Sequence, residues 1–479
     1  MEIRPELLAV LPPEIAEIFR ALVAENAELR ARLAELERRL GMNSTNSSKP
    51  PSTDSMSKPN KPERREGSGT RKGKREREGK TRPDFGEPDK IEPVRATECP
   101  GCCAPIGDSG KLVDRRQVAE LVPKPFEITE YQFFQVTCPC CGKVIAPPEA
   151  PGVLPGFSLG PRMVALIGLL DHFGNVTYNK IGTMLREGFG LPICEGTIDN
   201  ANRWLHAALA APVAELKEVL PKLDRVNMDE TGWRIDGRRH WLWTVANESL
   251  TYLHIAPSRG AKVVVGLLSQ AYQGLISCDF WTAYRAVDGV KGERSFCWSH
   301  LDREAKGIID NATDKADDAQ FGRDLRYVIH WGYIHWRGHK RGRISTEVFQ
   351  LLGERHKNIT RGMIAHYDGK LVGKKAIALR KRLAEHLDGY FNWYNHPGVA
   401  PDNNAGELAI RPSVITRKVS GGNRSAWGAE LTAYMQTVIG TCRKQGIQLL
   451  GTIQAYLTAL AHPGTPFPSL VPDTISSTG

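Results

Sequence analysis

Long apolar runs are missing from this chain: no stretch of about 18 consecutive hydrophobic residues occurs, so no membrane-spanning helix is expected. The N-terminus also lacks the basic, apolar and small-residue succession of a secretory signal, and the expected compartment is the cytoplasm. Cysteine is scarce, with 10 in 479 residues, too few for a disulfide scaffold. Six of the ten crowd between Cys99 and Cys141, and in a reducing compartment such crowding points to a metal. Acids are outnumbered, 54 against 64 Lys and Arg, giving a formal charge of +10. That balance suits a polyanion and leaves open whether it is nucleic acid or an anionic surface. Hydrophobic residues at 41% and charged residues at 25% place the bulk of the chain in the globular class, and the length predicts about three domains.

Residues 1–41 carry heptads, with Ile15, Leu22, Leu29 and Leu36 on one seam and Phe19, Asn26, Leu33 and Leu40 on the other. A parallel dimeric coiled coil is expected, with Asn26 fixing register; the alternative is an amphipathic helix packed on its own body. Residues 42–92 form a polar linker expected to be disordered. Between Lys58 and Arg82, eleven basic residues face four Glu, so this stretch holds +7 of the net charge. It reads as a solvated spacer and equally as an arm for nonspecific phosphate contact. Within 93–150, Cys99-Pro-Gly-Cys102 and Cys138-Pro-Cys-Cys141 flank strand-like sequence. Four thiolates on two such knuckles predict a zinc ribbon holding one structural Zn2+ through Cys99, Cys102, Cys138 and Cys141. Neighbouring Cys103 and Cys140 compete, and the two-residue spacing selects Cys102 and Cys141.

Residues 151–222 turn helical, with Met163, Leu166 and Leu169 marking one helix. Lys180–Glu187 and Gly196–Leu209, joined through Gly188, Gly190 and Pro192, have the order of a helix-turn-helix DNA reader, or of a plain packing layer. Strands follow at Val226–Ile235, His240–Ala246 and Thr251–Ile255, separated by Asp236-Gly237 and Asn247-Glu248-Ser249. A helix through Val264, Leu267 and Leu268 leads to a buried strand, Gly274–Cys278, that ends in Asp279. Three antiparallel strands, a helix and a fourth strand are the order of the ribonuclease H fold. There the end of the fourth strand lies beside the middle of the first, so Asp229 and Asp279 would meet across fifty positions.

Two carboxylates brought together repel unless a cation lies between them, and magnesium suits hard oxygen ligands. A third acid completes a two-metal site for in-line displacement at phosphorus. The candidate is Glu407, in Asp402-Asn403-Asn404-Ala405-Gly406-Glu407, at the start of a helix that Pro412 is expected to end or kink. Its competing role is local, since Asn404 followed three residues later by Glu has capping-box character. Cys297 and His300 have the residue types of metal ligands, but only two stand near each other, and a role in packing or in supporting a metal's ligands is expected. Trp331 and Trp336 are expected in a core.

Read together, these segments resemble the transposases of the insertion sequence 66 family. The similar motifs are Asp229-Glu230-Thr231-Gly232-Trp233, Cys278-Asp279-Phe280-Trp281-Thr282-Ala283-Tyr284, Cys297-Trp298-Ser299-His300, and Asp402 to Glu407 continuing through Arg411-Pro412 to Arg417-Lys418. Asn46-Ser47-Ser48-Lys49-Pro50-Pro51-Ser52 is similar to the family's linker. Two departures stand out: Gly406-Glu407-Leu408 replaces the usual Ala-Glu-Arg, and Leu301-Asp302-Arg303 follows the C-x2-H. The resemblance implies a DDE transposase with Asp229, Asp279 and Glu407 as catalytic residues holding two Mg2+ or Mn2+ ions. It implies DNA partners, namely terminal inverted repeats and target DNA, and helper proteins of the same element; a homodimer or higher oligomer is expected from the coiled coil.

The expected architecture is multidomain α+β. A ribonuclease H-like catalytic domain is expected over 223–303 and 396–430, with a helical insertion at 304–395 that the resemblance implies, and a helical tail over 431–479. Arg411, Arg417, Lys418 and Arg424, in a basic glycine-containing segment, are the candidate DNA contacts, with a plain flexible loop as the competing reading. The alternative function is a noncatalytic zinc-containing DNA-binding regulator derived from a transposase.

Overall fold

The computed structural model describes residues 87–93, 100–105, 112, 117, 125–137, 139–141, 144–145, 152–285, 293–312, 315–462 and 464–472. The coiled-coil segment 1–41, all but the last residues of the 42–92 linker, and the zinc ligands proposed at Cys99 and Cys138 lie outside these residues. Among the described residues no helix is long and apolar enough to cross a membrane.

The chain divides into two compact units, one comprising residues 57–146 and 182–193. Its described sheet is a two-stranded antiparallel ladder of β1 (Val136–Thr137) and β2 (Val144–Ile145). Cys102, Cys103, Cys140 and Cys141 are exposed and form no disulfide among the described residues.

The second unit contains residues 147–181 and 194–479. Helix α1 (Pro161–Gly168) begins on a proline, which has no N–H to leave unsatisfied. Helix α2 (Tyr178–Phe189), whose residues from 182 onward are assigned to the first unit, and the 25-residue α3 (Glu195–Val219) follow in the order expected for 151–222. Their connection passes through Gly190 at φ 67°, a left-handed conformation that suits glycine. Helix α1 buries Val164, Ala165 and Ile167, a face shifted from the Met163, Leu166 and Leu169 marked by periodicity.

A five-stranded mixed sheet forms the centre. Strand β3 (Arg225–Ile235) turns at Asp236-Gly237 into β4 (Arg238–Ala246), and both turn residues have positive φ, as a tight hairpin requires. Strand β5 (Thr251–Ala256) completes the meander. Helix α4 (Ala261–Leu268) buries Val264, Leu267 and Leu268 and leads to β6 (Leu275–Cys278), a fully buried strand. The short α5 (Thr282–Arg285) precedes β7 (Arg294–Phe296). The spatial order is β5-β4-β3-β6-β7, antiparallel between β3, β4 and β5 and parallel from β3 through β6 to β7.

Helices α6 (Trp298–Asp310), α7 (Ala316–Lys340), α8 (Thr346–His366), α9 (Lys374–Glu385) and α10 (Leu387–Phe391) follow β7. Helix α7 packs directly on Trp298, and a Cβ at Gly332 would stand 2.1 Å from that indole. The core assignment of Trp331 is corrected here. Phe321, Leu325, Val328 and Ile329 take the buried face of α7, which leaves Tyr327 and Trp331 outward, Trp331 41% exposed. Trp336 is half-buried beneath Lys340.

Helix α11 (Asn404–Ser420) continues through Pro412 and ends at Gly421, which is left-handed. Of the two outcomes expected at Pro412, the ending is excluded: the proline removes one N–H, yet the helix does not stop there. Helices α12 (Ala426–Gln445) and α13 (Leu449–Ala461) close the chain, packing with α3 and α1. On the sheet, Trp233, Leu242 and Leu253 form one core cluster with Ile410 of α11 and Ala433 of α12. Thr437 and Thr441 of α12 accept hydrogen bonds from the β5 backbone at 3.0 and 3.1 Å, which satisfies donors of a sheet-edge strand.

Candidate active site

The parallel pairing of β3 with β6 runs in register from Arg225↔Leu275 to Asn227↔Ser277. Two residues further along that register, Asp229 stands beside Asp279, which immediately follows β6. Strand alternation puts Asp229 and Trp233 on one face and Glu230 on the other. The Trp233 face is covered by α11, which carries Glu407 in its first turn. All three acids are half-buried. The Asp229 carboxyl is pushed well above the usual carboxylate range, first by burial and then by Glu230, Asp279 and Glu407. Burial and Glu230 push Asp279 up to about 6, against the opposing Trp281 amide and Arg259 charge.

The donor set fits a hard divalent cation. Asp229 Oδ1 accepts from the Glu230 amide and Asp279 Oδ1 from the Trp281 amide, both at 2.9 Å, so each second oxygen stays outside the hydrogen bonds. Thr244 faces Asp229 across the ladder, and its buried Oγ1 has no hydrogen-bond partner. A proton or a cation is the natural means of neutralising this crowd. Because both folded-state values lie above the unfolded carboxylate value of about 3.9, the metal-free fold loses stability as pH rises through about 6. Magnesium should therefore raise the thermal unfolding midpoint more at about pH 8 than at about pH 5. Calorimetry showing equal shifts at both pH values would place the binding elsewhere.

Glu407 is not a helix cap. The N-cap is Asn403, and its side chain reaches back into the sheet instead of the helix. Its amide donates to Met228 O at 2.6 Å, its Oδ1 accepts from Asn227 at 2.9 Å, and its backbone N–H points at Cys297 Sγ at 3.2 Å. The first two bonds fix the start of α11 against β3, and the third ties it to Cys297 at the start of α6. A Cβ on Gly406 would lie 2.9 Å from the Asn403 side-chain amide, so glycine leaves room for that side chain. Glu407 Oε1 instead meets Arg303 at 3.2 Å and lies 3.8 Å from His300 Nδ1. Cys297, His300 and Glu407 thus converge, their ligand atoms all within 4.8 Å of one another. Sequence separates this third group from the pair by more than a hundred residues. Burial pushes the Cys297 thiol up to about 12, and burial with Arg303 holds the His300 imidazole down to about 3.

On the other sheet face lies a residue quoted in the motif but given no role. The Glu230 side chain is 1% exposed. Arg259 donates to its Oε1 from Nε at 2.9 Å and from Nη2 at 2.6 Å, and Tyr284 Oη donates to Oε2. The Arg259 guanidinium lies 3.7 Å from the Trp281 ring centroid and 4.6 Å from that of Trp241. This aromatic clamp ties the segments flanking Asp229 and Asp279 together.

The basic candidates separate. Arg411, Lys418 and Arg424 are exposed, whereas Arg417 donates to Thr231 Oγ1 at 2.8 Å and to the Gly232 carbonyl. Arg417 therefore braces β3 beside Asp229. Arg411 and Arg443 line a groove of about 240 Å³ with His172 and Phe173.

A mixed sheet, an acid trio and a basic helix beside them define a protein of the transposase class once the family comparison is added. Residues 156–431 match the family described as Transposase IS66 family, more than half of the chain. The chain belongs to the IS66 family of transposases. Residues 3–83 match a family of unknown function. Among curated relatives, the uncharacterized protein y4qI of Sinorhizobium fredii is 26% identical over 258 residues, covering 48% of this chain and 46% of that protein. The uncharacterized protein y4hP of the same organism is 25% identical over 426 residues, covering 80% and 75%. The chain spans less than half the length of the first and about three quarters of the second.

Proposed function

We propose that this chain is a DDE transposase that hydrolyses DNA strands at the ends of its element and joins the freed 3′ hydroxyl to target DNA. The observation carrying the proposal is the in-register placement of Asp229 and Asp279 on the sheet face over which α11 presents Glu407. The strand order β5-β4-β3-β6-β7, antiparallel on one side and parallel on the other, supports a ribonuclease H-like reading of the domain.

Asp229, Asp279 and Glu407 would hold two Mg2+ or Mn2+ ions. Bound there, such ions supply charge stabilisation to the attacking and leaving oxygens of an in-line displacement. The residues themselves orient: the Trp281 and Glu230 amides fix one oxygen of each aspartate, and Asn403 fixes the helix bearing Glu407. No nucleophilic side chain is required, because positioning and electrostatics carry phosphoryl transfer. Exposed Arg411, Lys418 and Arg424 serve the phosphate backbone. The order of α2 and α3 supports end recognition by the helical region, and one Zn2+ on the 93–150 thiolates would hold the ribbon together.

The test is strand cleavage and joining on a labelled element end, with magnesium or manganese and with chelator. Metal-dependent nicking at the element border is expected. A parent protein that binds its ends but never cuts, with metal and all proteins of the element present, would establish the regulator instead.

A further inference from the structure

We propose that Cys297, His300 and Glu407 form a second metal site, one selective for a soft or borderline divalent ion such as Zn2+, and that filling it inhibits the enzyme. The inhibitory part rests on the reading of Glu407 as a magnesium ligand; the binding part does not. Thiolate, imidazole and carboxylate within 4.8 Å of one another are a three-ligand set with an open fourth position. Sulfur disfavours magnesium and favours zinc.

Two features of the surroundings point to an ion. His300 Nδ1 is buried without a hydrogen-bond partner, 3.8 Å from Glu407 Oε1. Cys297, the N-cap residue of α6, receives the Asn403 backbone N–H on Sγ at 3.2 Å, a donor that supports a thiolate against the burial that raises the thiol. Arg303 Nη2 now supplies the positive charge, 3.2 Å from Glu407 Oε1 and 3.3 Å from His300 Nε2. Arginine only donates, so Nε2 is the accepting nitrogen and Nδ1 carries the proton. Ion binding through Nδ1 moves that ring proton to Nε2, releases the thiol proton to solvent, and displaces Arg303 from the imidazole. The ion then replaces Arg303 as the counter-charge of Glu407. A Glu407 drawn toward sulfur and imidazole is a weaker third ligand for the hard ions beside Asp229 and Asp279.

Full-length protein is loaded with a single equivalent of zinc, enough for the tighter four-thiolate ribbon alone, and is then titrated with cobalt(II). One further equivalent should bind with a sulfur-to-cobalt charge-transfer band. Cys297→Ser should abolish the band, and His300→Gln or Glu407→Gln should weaken binding by about tenfold or more, the loss seen even for outer-shell partners of a metal. Loss of the band in Cys297→Ser counts only if its circular dichroism matches the parent; the two half-buried positions keep the test open if it does not. A zinc-loaded parent giving no further band, or a band unchanged in all three variants, overturns the site. In the cleavage assay at fixed magnesium, added zinc should slow the parent and leave the residual rate of Cys297→Ser unaffected. Equal inhibition of both overturns the inhibitory role. A band without any parental cleavage leaves the metal site standing and removes the transposase reading; cleavage without a band does the reverse.

Discussion

Asp229→Asn, Asp279→Asn and Glu407→Gln should each reduce strand cleavage by at least about a thousandfold, and any pair should be little worse than one. The reason is shared ligation: removing one anion from a common centre disables the whole, so losses do not add. Folding should survive, because each change keeps side-chain volume and removes charge from a crowd that already pushes Asp229 and Asp279 toward their protonated forms. The metal-free Asp229→Asn and Asp279→Asn proteins should even unfold at a higher temperature than the parent at neutral pH. Element-end binding, measured by mobility shift, should remain close to parental. Parental cleavage by Glu407→Gln would falsify its assignment and leave the acid as a partner of Arg303 alone.

Arg259→Ala should destabilise the sheet domain by about 3–5 kcal/mol, the cost of breaking a buried ion pair from one side. Glu230 is almost fully enclosed, and without Arg259 only Tyr284 remains to bind its carboxylate. Arg259→Lys should recover part of the loss, since lysine keeps the charge but neither the two-nitrogen contact nor the stacking between Trp241 and Trp281. Adding Glu230→Gln to Arg259→Ala should restore more, because a neutral amide is far easier to bury. Urea unfolding followed by tryptophan fluorescence reads the midpoint. An Arg259→Ala midpoint equal to the parent's would show that water or another group satisfies Glu230.

The sheet was legible because its signals are local. Alternating side chains, β-branched runs and the Asp236-Gly237 turn placed β3, β4 and β5 within a few residues of their observed ends. The Asp229–Asp279 pairing needed one fold-level rule, that of a strand returning beside the first. What stayed hidden depends on contacts between distant segments. Asn403 looked like part of a polar helix start, and only the packed structure shows it bonded to β3. Cys297 and His300 lacked a third ligand until α11 folded over them. Trp331 defied its hydrophobicity because the buried face of α7 was already filled, and Pro412 failed to stop a helix whose neighbouring turns are held by the sheet.

The position of Glu407 along the chain has a consequence for synthesis. Asp229 lies in β3 and Asp279 immediately follows β6, the strand paired beside it, within about fifty positions of chain. The third acid comes after α6 to α10, and its helix is fastened by Asn403 to strand residues about 175 positions earlier. Contacts of such separation form late. A ribosome-bound chain therefore carries two acids of the trio without the third, and the proposed centre is completed only when the domain itself is complete.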